Sequence, residues 1–321
     1  MLKTRLCDVL GIEVPIILAP MGSATSAEFA ASVSNQGGLG SIGSLNRSTA
    51  AITRDIDVVK GLTNRHYAVN HIPPTLDTAA FRHTLEARPA VISFALGDPG
   101  DLVRQAHEVG AAVMVQVTTV AQAVEAAERG ADVVIAQGGE AGGYGGTVST
   151  MTLVPQVVDA VSPIPVVAAG GIYDGRGIAA ALMLGAVGVN LGTRFLASQE
   201  APIEEEWKQA ILAAQSEDTT KPDVLNDISP LPGTGGYGTV LRSLHTPFMD
   251  EWSAKPEEAR RERDRLWAEI GSMTRAGRRH QAVLTVGQTA GAIREILPVA
   301  EIMRRLIAET EAALARAPRA I

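Results

Sequence analysis

PVVAAGGIYDGRGIAAALMLGAVGVNLGTRF, residues 165–195, contains one complete strand–helix–strand repeat. "PVVAAGG" (165–171) and "GVNLGTRF" (188–195) are short β-rich runs, and between them Gly177–Leu184 has an Ala-rich helical texture that stops at Gly185. Two strands joined by a helix form the repeating unit of a parallel sheet. Both strands also end in glycine, Gly170 and Gly171 in the first and Gly192, followed by Thr193, in the second. Exposed backbone N–H groups at such turns favour an anion, and in barrels a phosphate docks between the last two loops.

The same texture extends toward the N-terminus. Further strands are read at "PIILAP" (15–20), "LGSIGS" (39–44), "HYAVNHI" (66–72), "AVISFAL" (90–96), "AAVMVQV" (111–117) and "DVVIAQG" (132–138), which makes eight in all. Helices are expected over Ala27–Asn35, Asp101–Glu108 and Val120–Arg129, with Gly37, Gly110, Gly130 and Gly185 as helix-ending residues. Eight such units predict an α/β fold, a (β/α)8 TIM barrel, with a doubly wound open sheet as the alternative. After the eighth strand the texture changes. Residues 203–288 are acidic and arginine-rich with a turn-rich stretch, "SPLPGTGGYG" (229–238), and read as an inserted helical lid. The expected division is 1–202 barrel, 203–288 lid, and 289–321 a C-terminal helix packing back on the barrel.

The chain has 321 residues, 46% of them hydrophobic, and a net charge of −7. That balance argues against nucleic acid as the partner. One cysteine, Cys7, gives no internal disulfide framework, and the N-terminus lacks a signal-peptide pattern. Gly177–Gly192, the longest weakly polar run, is too short to span a bilayer comfortably. These features predict a soluble cytoplasmic protein acting on a small molecule, with no membrane partner, no metal site, and homo-oligomerisation left open.

Barrel geometry places function at the C-terminal ends of the strands. There, Pro20, Met21 and Gly22 form a turn suited to a planar ring, and Asn70 and Gln116 offer amides that either contact a heterocycle or satisfy backbone. "AQGGEAGGYGGTVST" (136–150) leaves the sixth strand with glycines that let the main chain approach a ligand. Within it, Glu140 either fixes the loop or acts as an acid or base, and Tyr144 donates a proton or hydrogen bond, stacks on a ring, or plugs the pocket. In "ARRERDRLWAEIGSMTRAGRRHQ" (259–281) seven arginines form either a solvated face paired to Glu257, Glu258 and Glu262 or an anion-binding rim that includes Arg278 and Arg279.

"PMGSATSAEFAASVSNQGGLGSIG", "QGGEAGGYGG", the 165–198 segment and the late "GQTAG" together resemble the nitronate monooxygenase family, which shares its pattern with flavin-dependent enoyl-acyl carrier protein reductases and NADH:quinone reductases. The resemblance spans nearly the whole chain. It implies non-covalent FMN at the strand ends. Pro20, Met21, Gly22, Asn70, Gln116, Gly142 and Gly143 would lie around the ring and ribityl chain, and Ala169, Gly170, Gly171, Gly192 and Thr193 would hold the phosphate. Gln288 would stand near the ring. The family motif runs Glu-Ala-Gly-Gly-His, and here Tyr144 occupies the histidine's place. An ordinary tyrosine, with a pKa of about 10, is a poor base at neutral pH but a fair donor. His71 and His245 are candidate substitutes or structural residues.

The resemblance therefore implies an FMN-dependent oxidoreductase, first of the nitronate monooxygenase type, oxidising an anionic nitro compound with O2. The alternative is an NAD(P)H-dependent FMN reductase of a quinone or enoyl thioester, with Tyr144 as the catalytic donor. A flavin-free barrel binding a phosphorylated metabolite is the reading from another class.

Overall fold

The computed structural model describes residues 2–228 and 240–316; the "SPLPGTGGYG" stretch lies outside them. Eight parallel strands, Ile16–Leu18, Gly40–Gly43, Tyr67–His71, Val91–Phe94, Ala112–Val117, Val133–Gln137, Val166–Ala169 and Gly188–Leu191, follow one another around a single sheet. Closure decides between the two expected architectures. Ile17 bridges Leu39 in parallel, the Leu18 N–H donates to Leu39 O at 2.9 Å, and the Leu39 N–H donates to Ile16 O at 3.0 Å. The first and second strands are thus joined, and the fold is a (β/α)8 barrel rather than an open sheet.

The strands read as continuous apolar runs because each is covered on both faces. Ile16 and Leu18 pack outward with the helices, whereas Ile17 points inward with Leu39, Val91, Met114 and Val167. The short helix Arg5–Leu10 seals the lower end of that interior with Leu6, Cys7 and Leu10. The four glycines expected to end helices all have positive φ. The last helix, Val299–Arg316, packs on Gly175–Met183, where Glu309 accepts a 3.0 Å hydrogen bond from the Gly175 N–H.

One expectation is corrected. The eighth strand ends at Leu191 instead of running to Phe195; the chain turns at Gly192 and Thr193–Leu196 is helical, with the Phe195 N–H donating to Gly192 O at 2.9 Å. The region above the barrel carries the expected helices and a small sheet as well. Besides Glu205–Ala213, Asp223–Ile228, Pro247–Ser253, Pro256–Arg261 and Arg263–Arg275 it has a three-stranded antiparallel sheet of Thr219–Thr220, Val240–Leu244 and Gly143–Gly145. The loop after the sixth barrel strand supplies that sheet's edge, pairing Tyr144 with Leu241, because the tyrosine ring buries itself in a second apolar cluster with Leu241, Trp252, Leu266 and Ile270. Among the described residues, no helix is long and apolar enough to cross a membrane.

Candidate active site

A cavity of about 660 Å³ opens between the strand C-termini and this upper layer. Four amides face it from below: Asn70, Gln116, Gln137 and Asn190, from the third, fifth, sixth and eighth strands. Asn70 Nδ2 donates to the backbone O and the Oγ of Ser93, both at 3.2 Å, and Gln116 Nε2 donates to Gln137 Oε1 at 3.2 Å. Asn190 is 3% exposed and its Oδ1 has no partner among the described residues. A buried acceptor left open is costly unless a ligand donates to it.

The thirteen residues expected to hold the cofactor or donate the proton all line this one cavity: Pro20, Met21 and Gly22 on the first turn; Asn70 and Gln116 below; Gly142, Gly143 and Tyr144 on the sixth-strand loop; Ala169, Gly170, Gly171, Gly192 and Thr193 after the last two strands. Gly170 and Gly171, both at positive φ, turn the backbone at the edge of the cavity. Gln288 does not line the cavity, although its neighbours Gly287 and Thr289 do; its N–H donates to Glu140 O at 3.0 Å. Sequence reasoning missed Gln137, Asn190, Trp207 and the apolar upper wall. Only Asn190, a polar residue inside the apolar run "GVNLG", carried a local signal.

The bare sixth-strand loop owes its glycines mostly to other protein segments. A Cβ on Gly142 would stand 2.4 Å from Val286 C and 2.6 Å from Gly287 N, so a glycine is required for the return segment to pass. Gly143 has φ +75, a conformation that disfavours side chains. Glu140 anchors the loop: its carboxylate accepts from the Thr150 N–H (2.9 and 3.1 Å) and from Thr150 Oγ1 (2.9 Å). Arg242 Nε and Nη2 donate to Gly139 O at 3.2 and 3.0 Å, and Lys221 Nζ donates to the carbonyls of Gly145 and Gly146. Burial, and secondarily the neighbouring Arg242 charge, lowers the Lys221 pKa to about 8.

Neither candidate histidine reaches the cavity. His71 is 1% exposed, with Nε2 2.9 Å from Thr84 Oγ1 and its ring edge-on to Phe81; burial lowers its pKa to about 4. His245 is exposed and pairs with Asp250 at 3.0 Å. The arginine-rich segment divides. Arg260 and Arg265 pair with Asp227, Glu257, Glu262 and Glu269 on a solvated face, Arg278 is exposed, and Arg275 and Arg279 line the cavity. Among the described residues, no three His, Cys, Asp or Glu side chains cluster to hold a metal.

A closed barrel with a glycine-lined corner, an amide floor and a capped apolar cavity fits the architecture of a flavin-dependent oxidoreductase. Comparison with known proteins makes this specific. The family model described as nitronate monooxygenase matches residues 3–309. The chain is 32% identical to an octahydro-1H-indene-4-carboxyl-CoA dehydrogenase of Rhodococcus jostii, over 96% of both chains. It is also 32% identical to a probable nitronate monooxygenase of Staphylococcus aureus, over 78% of this chain and 81% of the other. Among solved structures, FabK from Thermotoga maritima superposes with a TM-score of 0.90 at 34% identity over all of both chains. A nitroalkane oxidase from Streptomyces ansochromogenes gives 0.82 at 28% identity, over 97% of this chain and 99% of the other. The chain belongs to the nitronate monooxygenase family, and it is a flavin-dependent oxidoreductase.

Proposed function

We propose that this chain holds FMN non-covalently across the barrel mouth and oxidises a nitronate, the anionic form of a nitro compound, with O2. Ala169, Gly170, Gly171, Gly192 and Thr193 would hold the phosphate, for which a glycine turn at positive φ on the cavity's edge is suited. Pro20, Met21, Gly22, Asn70, Gln116, Gly142 and Gly143 would hold the ring and ribityl chain, with the open Asn190 Oδ1 as a further acceptor. Residues 203–288 would then serve as the lid over a barrel spanning 1–202, with 289–321 packing back beneath it. Bound there, FMN would supply an acceptor for the substrate's electrons and a donor for dioxygen.

The observation that carries the nitronate reading is the absence of a free base among the described residues that line the cavity. No histidine lines it among the described residues, and the Glu140 carboxylate is committed to Thr150. Abstracting a proton from a neutral nitroalkane requires a positioned base of suitable pKa, whereas a nitronate arrives already deprotonated. The chain's own work is then to orient an anion, exclude water with the apolar wall of Leu225, Leu241 and Ile270, and donate a hydrogen bond from Tyr144. The test is anaerobic mixing with propionate-3-nitronate, NADH or NADPH. Bleaching of the flavin band by the nitronate alone is the expected result; bleaching by the pyridine nucleotides alone would overturn it.

A second reading is a reductase or dehydrogenase of an acyl thioester, drawing on NAD(P)H as the reductant in the reductive case. The likeness to a carboxyl-CoA dehydrogenase over 96% of both chains supports it, and so does a cavity wall of Trp267, Ala268 and Gly271 that leaves room beside Arg275. In that chemistry Tyr144 would donate the proton to the product carbanion.

A further inference from the structure

Arg279 sits on a short turn after the helix Arg263–Arg275, and that turn is clamped from below. The Glu204 carboxylate accepts from the N–H groups of Arg279 and His280, each at 3.1 Å, and lies 3.2 Å from His280 Nδ1. Glu204 is therefore spent on backbone and imidazole rather than on the guanidinium. The guanidinium carbon lies 5.2 Å from the centroid of the Trp207 ring, Nε donates to Val283 O at 3.3 Å, and one terminal nitrogen lies 3.5 Å from Ser23 Oγ. Among the described residues no carboxylate lies within 4.0 Å of it, unlike Arg260 and Arg265 of the same segment. Burial works against its charge, and the nearby Glu204 and Tyr144 work in its favour.

An arginine does not escape burial by losing its proton, so its charge persists inside the cavity wall. Such a charge is costly unless something of opposite sign offsets it, and among the described residues no carboxylate pairs with the guanidinium directly. The cation–π contact with Trp207 restrains the planar fork, which suits two oxygens of one planar group. Trp207 is 3% exposed, and its Nε1 has no partner among the described residues. Arg279, Trp207, Ser23 and Tyr144 all line the one cavity.

We propose that Arg279 determines substrate specificity by binding the planar oxyanion of the substrate, with Trp207 restraining the guanidinium, so that the site selects anions over neutral molecules of the same shape. This rests on the oxidoreductase reading above and names the group that recognises the substrate's charge. It also separates Arg279 from Arg278, which faces solvent.

The test uses the FMN-loaded enzyme and two unreactive probes of equal shape, benzoate and benzamide. Binding is read by perturbation of the flavin absorbance and, in parallel, by thermal shift, which needs no flavin. The wild type is expected to bind benzoate at least tenfold more tightly than benzamide. Arg279→Gln should bring the ratio below twofold while FMN stays bound. Should Arg279→Gln fail to fold, Arg279→Lys decides: a ratio reduced threefold or more supports the bidentate contact, and an unchanged ratio overturns it. A wild type without the preference, or an Arg279→Gln variant that keeps it, overturns the inference and leaves FMN binding untouched. Failure of the wild type to retain FMN instead overturns the cofactor assignment, and the thermal-shift ratio still reads Arg279.

Discussion

Replacing Glu140 separates an anchor from a catalyst. In Glu140→Ala, the Thr150 hydroxyl loses one acceptor but already lies 2.9 Å from Gly170 O, so it turns there at little cost. The Thr150 N–H has no such alternative, and Thr150 is 8% exposed. A charge-assisted hydrogen bond is worth about 1.5–3 kcal/mol, and a buried donor left open costs a similar amount. These are two descriptions of one loss, so the expected destabilisation is about 2–3 kcal/mol. At about 2–3 °C per kcal/mol for a chain of this size, Tm falls by about 4–9 °C. Because Thr150 also ties down Gly170, FMN should dissociate about tenfold more readily. Glu140→Gln keeps an amide oxygen for the Thr150 N–H and should cost under about 1 kcal/mol, with kcat within about twofold. Thermal unfolding, flavin-release titration and steady-state turnover measure the three quantities. A Glu140→Gln enzyme that is stable, loaded with FMN and inactive would refute the anchor and make Glu140 an acid or base. An Glu140→Ala enzyme with unchanged Tm would refute the energetics.

Tyr144→Phe should keep FMN bound, since the ring still fills its apolar cluster, and should slow turnover at least tenfold by removing the hydroxyl; stopped-flow reduction measures this, and unchanged turnover reduces the residue to packing. Gly271 lies mid-helix in Arg263–Arg275 and faces the cavity, where the nearest obstacle to a Cβ is Arg275 Nη1 at 3.4 Å. Gly271→Ala should therefore raise helix stability by about 0.8–1 kcal/mol, whereas Gly271→Leu should raise KM severalfold for a bulky substrate with little effect on a small nitronate. His71 contributes a pH dependence whose sign follows from its lowered pKa. The unfolded chain takes up the proton at about pH 6.5 and the native one only at about pH 4, so the contribution is fully present above 6.5 and is lost as pH falls through 4. The gap corresponds to about 3 kcal/mol. Denaturant titrations from pH 7 to 4 should show this slope, and His71→Asn should flatten it.

The barrel was legible because each repeat is written locally. An apolar strand, an Ala-rich helix and a closing glycine lie within about 30 residues, and their packing needs no information from elsewhere. Strand lengths were not legible. "PIILAP" contributes only Ile16–Leu18 to the sheet, since Ala19 and Pro20 already belong to the cavity wall, and nothing in their chemistry marks where pairing stops. The Gly143–Gly145 strand escaped for the opposite reason. Its partner, Val240–Leu244, lies about a hundred residues further on, and three residues with two glycines carry no alternation.

The site divides along the same line. Its lower half could be read from glycines and amides at strand ends, because barrel geometry brings those ends together whatever lies above them. Arg279 and Trp207 come from the upper layer and meet across more than seventy residues, so neither had a periodic signal. Tyr144 belongs to both halves. It stands on a barrel loop, yet its backbone pairs with Leu241, its ring packs in the upper cluster, and Lys221 and Arg242 hold the carbonyls on either side of it. All of these ties lead upward, so a displacement of the upper layer would carry the tyrosine with it. Tyr144 is thereby coupled to the elements that close the cavity from above, and its hydroxyl is positioned only as well as the cavity is closed.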